Sequence, residues 1–254
     1  MVKIEEKLSL KNMTFVKPWK QIVFFSVGCL GLIGIQIVAS IILSLIAREV
    51  TGGGVQYDTF IRGTTSDMIL NVTCYMILAI VFIILASPDS EEFFKTFRHW
   101  QPYVAGAVGL AAIMTFNIVY GNILAIIGVG VTDNANESGL NSIVTDFPFT
   151  SLFIFALVGP ICEEITYRVG LFSFFRRINV ILAYAITIIG FTLIHFDFDS
   201  SNIVNELLNL PYYAFAAFTF TFLYEKYGFA ASTSAHVSNN LISILATILG
   251  IFKL

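Results

Sequence analysis

Residues 148–177 read PFTSLFIFALVGPICEEITYRVGLFSFFRR, an apolar run of membrane-crossing length with Glu163, Glu164 and Arg168 in its middle. A spanning helix needs about 20 apolar residues at a rise of about 1.5 Å each. Ionisable side chains inside such a run cost about 2.5–3.5 kcal/mol apiece on insertion scales and are functional by default. Glu164 and Arg168 stand i, i+4, so they face each other and can keep each other ionised. Glu163 lies about 100° around the helix. It has no local cation and is available as a general base. Pro160, three residues earlier, removes a backbone hydrogen bond and kinks the run, opening room for water and substrate.

The rest of the chain fits a membrane setting. Of its 254 residues 57% are hydrophobic and only 12% charged, against about 45–50% and about 25% in soluble domains. The mean hydropathy is +0.83. Disordered, collagen-like and ordinary soluble folds are thereby excluded. A formal charge of −3 gives no reason to expect a nucleic-acid partner.

Uncharged or nearly uncharged runs cover residues 22–47, 68–86, 102–131, 148–175, 180–196, 207–224 and 228–252. None alternates with the period of two that a membrane strand needs. The expected fold is therefore an all-α polytopic membrane protein of about seven transmembrane helices, eight at most, around an intramembrane active-site cavity. Residues 1–147 comprise an N-terminal cytosolic segment and three helices without a signature. Residues 148–254 carry the polar motifs, and both parts form one integral membrane domain.

Lys3, Lys7, Lys11, Lys17, Lys20, Lys95, Arg98, Arg176, Arg177 and Lys226 fall on one side of these runs; Arg48, Arg62 and Lys253 fall on the other. The excess places the N-terminus in the cytosol, of the cell membrane if the source is bacterial. The cavity is expected to open on that side, near Arg176, Val180 and Gly228, with Asp197 and Asp199 forming an acidic outer lip. Residues 88–100 mix aromatic and charged side chains and read as an interfacial amphipathic helix. Cys29, Cys74 and Cys162 all sit in apolar runs and read as packing residues.

Two further runs carry polar residues at depth. Residues 186–198 read ITIIGFTLIHFDF, with His195, and residues 232–243 read STSAHVSNNLIS, with His236 and Asn240 four apart. Counted from the basic ends, Glu163 lies about 21 Å in, His195 about 22 Å, and His236 and Asn240 about 15 and 21 Å. Acid, imidazole and amide thus meet at similar depth on three non-consecutive helices. His236 and Asn240 can aim donors at one spot, as an oxyanion hole requires.

E-E-x-x-x-R (Glu163, Glu164, Arg168), F-x-x-x-H (Phe191, His195) and H-x-x-x-N (His236, Asn240), in this order, resemble the CPBP family. This is the CAAX protease and bacteriocin-processing family, also called Abi, which includes the Ras-converting-type CAAX endopeptidases. The resemblance covers roughly residues 151–244. It implies an all-helical intramembrane endopeptidase in which Glu163 activates water, Glu164 and Arg168 support it, and His195 positions the water or a metal. His236 and Asn240 would stabilise the oxyanion. The implied substrate is a membrane-associated peptide or lipidated protein, either a prenylated CAAX tail or a bacterial leader or signalling peptide, met among membrane lipids.

Two histidines and a glutamate could hold zinc with an open position, the candidate ligands being Glu163, His195 and His236. No H-E-x-x-H is present, and a Glu- and His-activated water needs no ion, so the family's metalloprotease label stays open. Two other functions compete. One is a non-proteolytic membrane scaffold that modulates a partner protein. The other is an ion-coupled transporter, against which the lack of internal repeats counts.

Overall fold

The computed structural model describes residues 12–14 and 16–250. Lys3, Lys7, Lys11 and Lys253 lie outside the described residues, as does the end of the last apolar run. The described residues are helical, with no strand among them.

Helix α1, Pro18–Thr51, begins with proline in its first turn, where the missing N–H costs nothing. After Gly54–Ile61 (α2) the chain returns as Thr64–Ala86 (α3). Three short turns, Ser87–Asp89, Ser90–Phe94 and Lys95–Arg98, lead into Gln101–Ile126 (α4). Ala135–Asp146 (α5) is capped by Asn134, whose Oδ1 accepts the Glu137 N–H. Pro148–Arg176 (α6) carries the acidic pair. Val180–Leu193 (α7), Ile203–Tyr227 (α8) and Phe229–Leu249 (α9) complete the chain, α7 and α8 being capped by the side chains of Asn179 and Asn202.

The expectation of seven or eight spanning helices is corrected. Among the described residues four helices are long and apolar enough to cross a membrane: α1, α4, α6 and the stretch Thr64–Arg98 that contains α3. The reason is physical. Helix α7 has 14 residues, about 21 Å of rise against a hydrocarbon core of about 30 Å. Helix α8 buries Asn205, Glu206, Asn209 and Glu225. Helix α9 buries Ser232, Thr233 and His236. Searching for uncharged runs passes over the asparagines, serine and threonine among them, and these buried polar positions turn α8 and α9 inward.

Helix α6 is the hub. More than half of its apolar window is buried, whereas α1 faces outward with Ile33, Ile37, Ile41 and Leu45 exposed. Phe24, Phe82, Val169, Phe172, Tyr224 and Phe229 form a core that joins α1, α3, α6, α8 and α9. At the α1–α6 crossing, a Cβ on Gly28 would sit 2.0 Å from Thr166 Oγ1, so only glycine permits that approach.

The basic end of the bundle is packed shut. Asn12 Nδ2 donates to the Lys226 carbonyl at 2.7 Å, and Phe229 stacks edgewise on Phe93 and Phe97. Arg177 reaches Gln21 and the Val16 carbonyl, and Arg176 pairs with buried Glu225 at 2.7 Å. One residue, Gly228, links α8 to α9 with φ +89° and ψ −175°. A Cβ there would lie 2.5 Å from the Asn12 carbonyl oxygen. Gly228→Ala is therefore expected to lower stability by about 1–3 kcal/mol from backbone strain alone, with the clash adding to it. Thermal melting in detergent checks this; an unchanged midpoint refutes it.

Candidate functional site

Helix α6 is irregular where the chemistry sits. Ile154–Val158 and Glu164–Phe172 are π-helical, a wide winding that is rare and concentrates at functional sites. Pro160 explains the first of these. In the wide turn the Gly159 N–H bonds Ile154 O rather than Phe155 O, and the next residue, Pro160, has no N–H to offer. The Phe155 carbonyl is left without a helical partner, and Asn240 Nδ2 supplies one at 3.1 Å. Asn240 thus ties α9 to the bulge of α6, and this amide is spent on backbone rather than aimed at the cavity.

Glu164 and Arg168 pair at 3.0 Å, both side chains fully buried. The guanidinium lies over the Phe191 and Phe220 rings, 4.6 and 5.4 Å from their centroids. His236 completes the cluster. Its Nδ1–H donates to Glu164 Oε1 at 2.8 Å, and its Nε2 lies 3.6 Å from Glu163 Oε2. The imidazole stacks on Phe220 with ring centroids 4.4 Å apart. One buried carboxylate therefore holds an arginine and a histidine, and the histidine faces the second carboxylate.

Glu163 differs from Glu164 in exposure. Its side chain is 18% accessible where that of Glu164 is sealed. It reaches a cavity of about 430 Å³ that His195, Tyr75 and Tyr167 also line. His195 lies just beyond the end of α7, held at three points. Its Nδ1–H donates to the Phe191 carbonyl at 2.9 Å, leaving Nε2 with its lone pair. Its ring stacks on Tyr213 at 4.4 Å, and its carbonyl accepts from Asn134 Nδ2 at 2.9 Å.

Sequence reasoning missed the residues that hold this loop. Glu206, buried at the start of α8, accepts the backbone N–H groups of Ala135 at 2.9 Å and Asp197 at 3.2 Å. Asn205 and Asn209 bind the Thr132 carbonyl. One helix end thus clasps the α4–α5 and α7–α8 connections, and with them His195. The signal was present as Asn205-Glu206 and Asn209 at the edge of an apolar run, where charges pass for the end of a span. Asp197 Oδ1 accepts the Asp199 N–H in an exposed turn, and neither aspartate lines the cavity. Nearby, burial together with the charge of Asp133 pushes the Glu137 carboxyl up to about 7.

The lining differs from the expected rim. Arg176, Val180 and Gly228 do not line the cavity; Gln36, Asn71, Asn136 and Ile194 do. Gln36 is 16 residues beyond Lys20, about 24 Å along α1 from the basic end.

The three cysteines are free and line this cavity. No group of three His, Cys, Asp or Glu among the described residues is placed to hold a metal ion. Of the candidate ligands, His236 has its Nδ1 on Glu164 and its Nε2 toward Glu163.

Asn240→Leu is expected to cost about 1–3 kcal/mol by stranding the Phe155 carbonyl, with Asn240→Asp failing to restore it because a carboxylate cannot donate. Thermal melts of the two variants test this, and full stability of either one counts against the clamp.

Residues 145–242 match the family described as type II CAAX prenyl endopeptidase Rce1-like. The matched stretch contains the acidic pair with Arg168, Phe191 with His195, and His236 with Asn240. No curated protein and no solved structure matches the chain. The family match points to membrane-associated hydrolysis.

Proposed function

We propose, taking the Rce1-like match as premise, that this chain is an intramembrane endopeptidase that hydrolyses a peptide bond of a membrane-associated substrate. The observation that carries the reading is the contrast between two adjacent carboxylates. Glu164 is sealed against Arg168 and His236, while Glu163 opens into the cavity that His195 lines.

In this reading the His195 Nε2 lone pair accepts a hydrogen bond from a water, and Glu163 takes that water's proton as its oxygen attacks the scissile carbonyl carbon. The C–O bond forms, the carbonyl π electrons move onto oxygen, and a tetrahedral oxyanion results. Glu163 then returns the proton to the departing amine nitrogen as the C–N bond breaks. His236 turns its Nε2 edge toward Glu163 and the developing charge, and the Glu164–Arg168 pair fixes its ring. Asn240 shapes the bulge that exposes Glu163. The substrate is a peptide segment at the membrane, of the CAAX-tail or leader class that the family match suggests.

Incubating the purified full chain in lipid nanodiscs with prenylated CAAX peptides and leader-type peptides, followed by mass spectrometry, tests the reading. A cut at one defined bond supports it. Binding without cleavage across the whole set favours the scaffold function instead.

A further inference from the structure

Helix α3 lies outside the residues that the family match covers, yet one of its side chains reaches Glu163. Phe155, Gly159 and Glu163 stand four apart on α6, so successive turns carry them along one side of the helix. Tyr75 of α3 lies against that side. Its ring meets the Phe155 ring edgewise, with centroids 6.4 Å apart. A Cβ on Gly159 would stand 3.5 Å from the Cε1 and Cζ atoms of Tyr75, so the hydroxyl end of the ring runs over the bare glycine. The hydroxyl then comes beside Glu163, with the thiols of Cys74 and Cys162 as neighbours. Tyr75, Glu163 and His195 line one cavity.

The chemistry of these neighbours decides what the hydroxyl does. Thiol sulfur is a weak acceptor, whereas an ionised carboxylate accepts strongly and has no proton to give. The phenol O–H therefore donates to Glu163. His236 Nε2, on α9, approaches the same carboxylate at 3.6 Å. A side chain of α6 is thus met by groups from two other helices. A general base must keep a lone pair on its water through the reaction, and a carboxylate free to swing spends only part of its time there. The Tyr75 ring is well placed to prevent this, because Phe155 and Gly159 leave its hydroxyl little room. Phe155 is itself fixed by Asn240 Nδ2, which binds its carbonyl at 3.1 Å.

We infer that Tyr75 is a positioning residue of this site, whose hydroxyl holds the Glu163 carboxylate in the orientation from which it takes a proton from water. The role rests on the peptidase reading; the contact does not. No bond is made or broken at Tyr75, and its phenol keeps its proton throughout.

Two measurements on the full chain in nanodiscs separate the contact from the role. Infrared difference spectra of the parent against Tyr75→Phe isolate the phenol C–O stretch, which differs between donating and non-donating hydroxyls. The stretch is expected where a donating hydroxyl absorbs, and it should shift when Glu163→Gln replaces the carboxylate. Asp197→Asn, in an exposed turn away from the cavity lining, should leave it in place. In turnover of a cleaved peptide, Tyr75→Phe is expected to lower kcat about ten- to a hundredfold. KM and the melting temperature should change little, the signature of an interaction made in the transition state. Tyr75→Leu also takes the ring from Phe155 and is expected to melt lower, which measures the packing share separately. If Tyr75→Phe melts early, the Glu163→Gln comparison keeps Tyr75 intact and still reads the contact. A phenol stretch that ignores Glu163→Gln, or a kcat for Tyr75→Phe equal to that of the parent, overturns the inference. A parent chain that cuts no peptide sinks the peptidase reading, and the spectra then decide alone whether Tyr75 holds Glu163.

Discussion

Glu163→Gln is expected to abolish peptide hydrolysis and to leave the helix bundle standing. The side chain keeps its shape and loses its capacity to take a proton from water. A positioned general base contributes about 10²–10⁴-fold. Because Glu163 would also return the proton to the leaving amine, a fall of about a thousandfold or more in kcat is expected. Folding should survive because the carboxylate is partly exposed and its contact with His236 Nε2 is a loose one of 3.6 Å. Turnover assays with melting curves on the same preparations decide the matter. Activity within a few-fold of the parent chain removes Glu163 from the chemistry.

Arg168→Met is expected to have the opposite signature, a loss of the fold itself. It strips the guanidinium from Glu164, leaving the carboxylate its hydrogen bond from His236 Nδ1. Breaking one partner out of a buried ion pair costs about 3–5 kcal/mol. The rings of Phe191 and Phe220 also lose their cation, which adds to the deficit. Pairing Arg168→Met with Glu164→Gln removes both charges together, and His236 Nδ1–H can still donate to an amide oxygen. The double variant should therefore melt above Arg168→Met alone. Additive losses in thermal melts would show that the two side chains act independently.

What could be read in advance divides along physical lines. The spacing of Glu164 and Arg168 was sufficient to pair them, since an i, i+4 contact is decided within one helix. Matching depths were sufficient to bring His236 toward Glu163. Asn240 was different. Its periodicity sets the face of α9 it occupies, whereas its partner is a carbonyl set free by a π-turn on another helix. Glu206 escaped because a carboxylate at the edge of an apolar run resembles the edge of a span, and its ligands are backbone N–H groups that no side-chain pattern records. The number of crossing helices was misjudged for a related reason. Absence of charge is a weak substitute for apolarity when serines, threonines and asparagines fill a helix.

The seal around Gly228 has a mechanical meaning. Asn12 and Lys226 stand 214 positions apart in sequence and are hydrogen-bonded there, so distant segments close on one joint. His236 lies eight residues beyond that joint on α9, about 12 Å along the helix. A loosened joint would let α9 swing, and the imidazole would lose its register with the two carboxylates of α6.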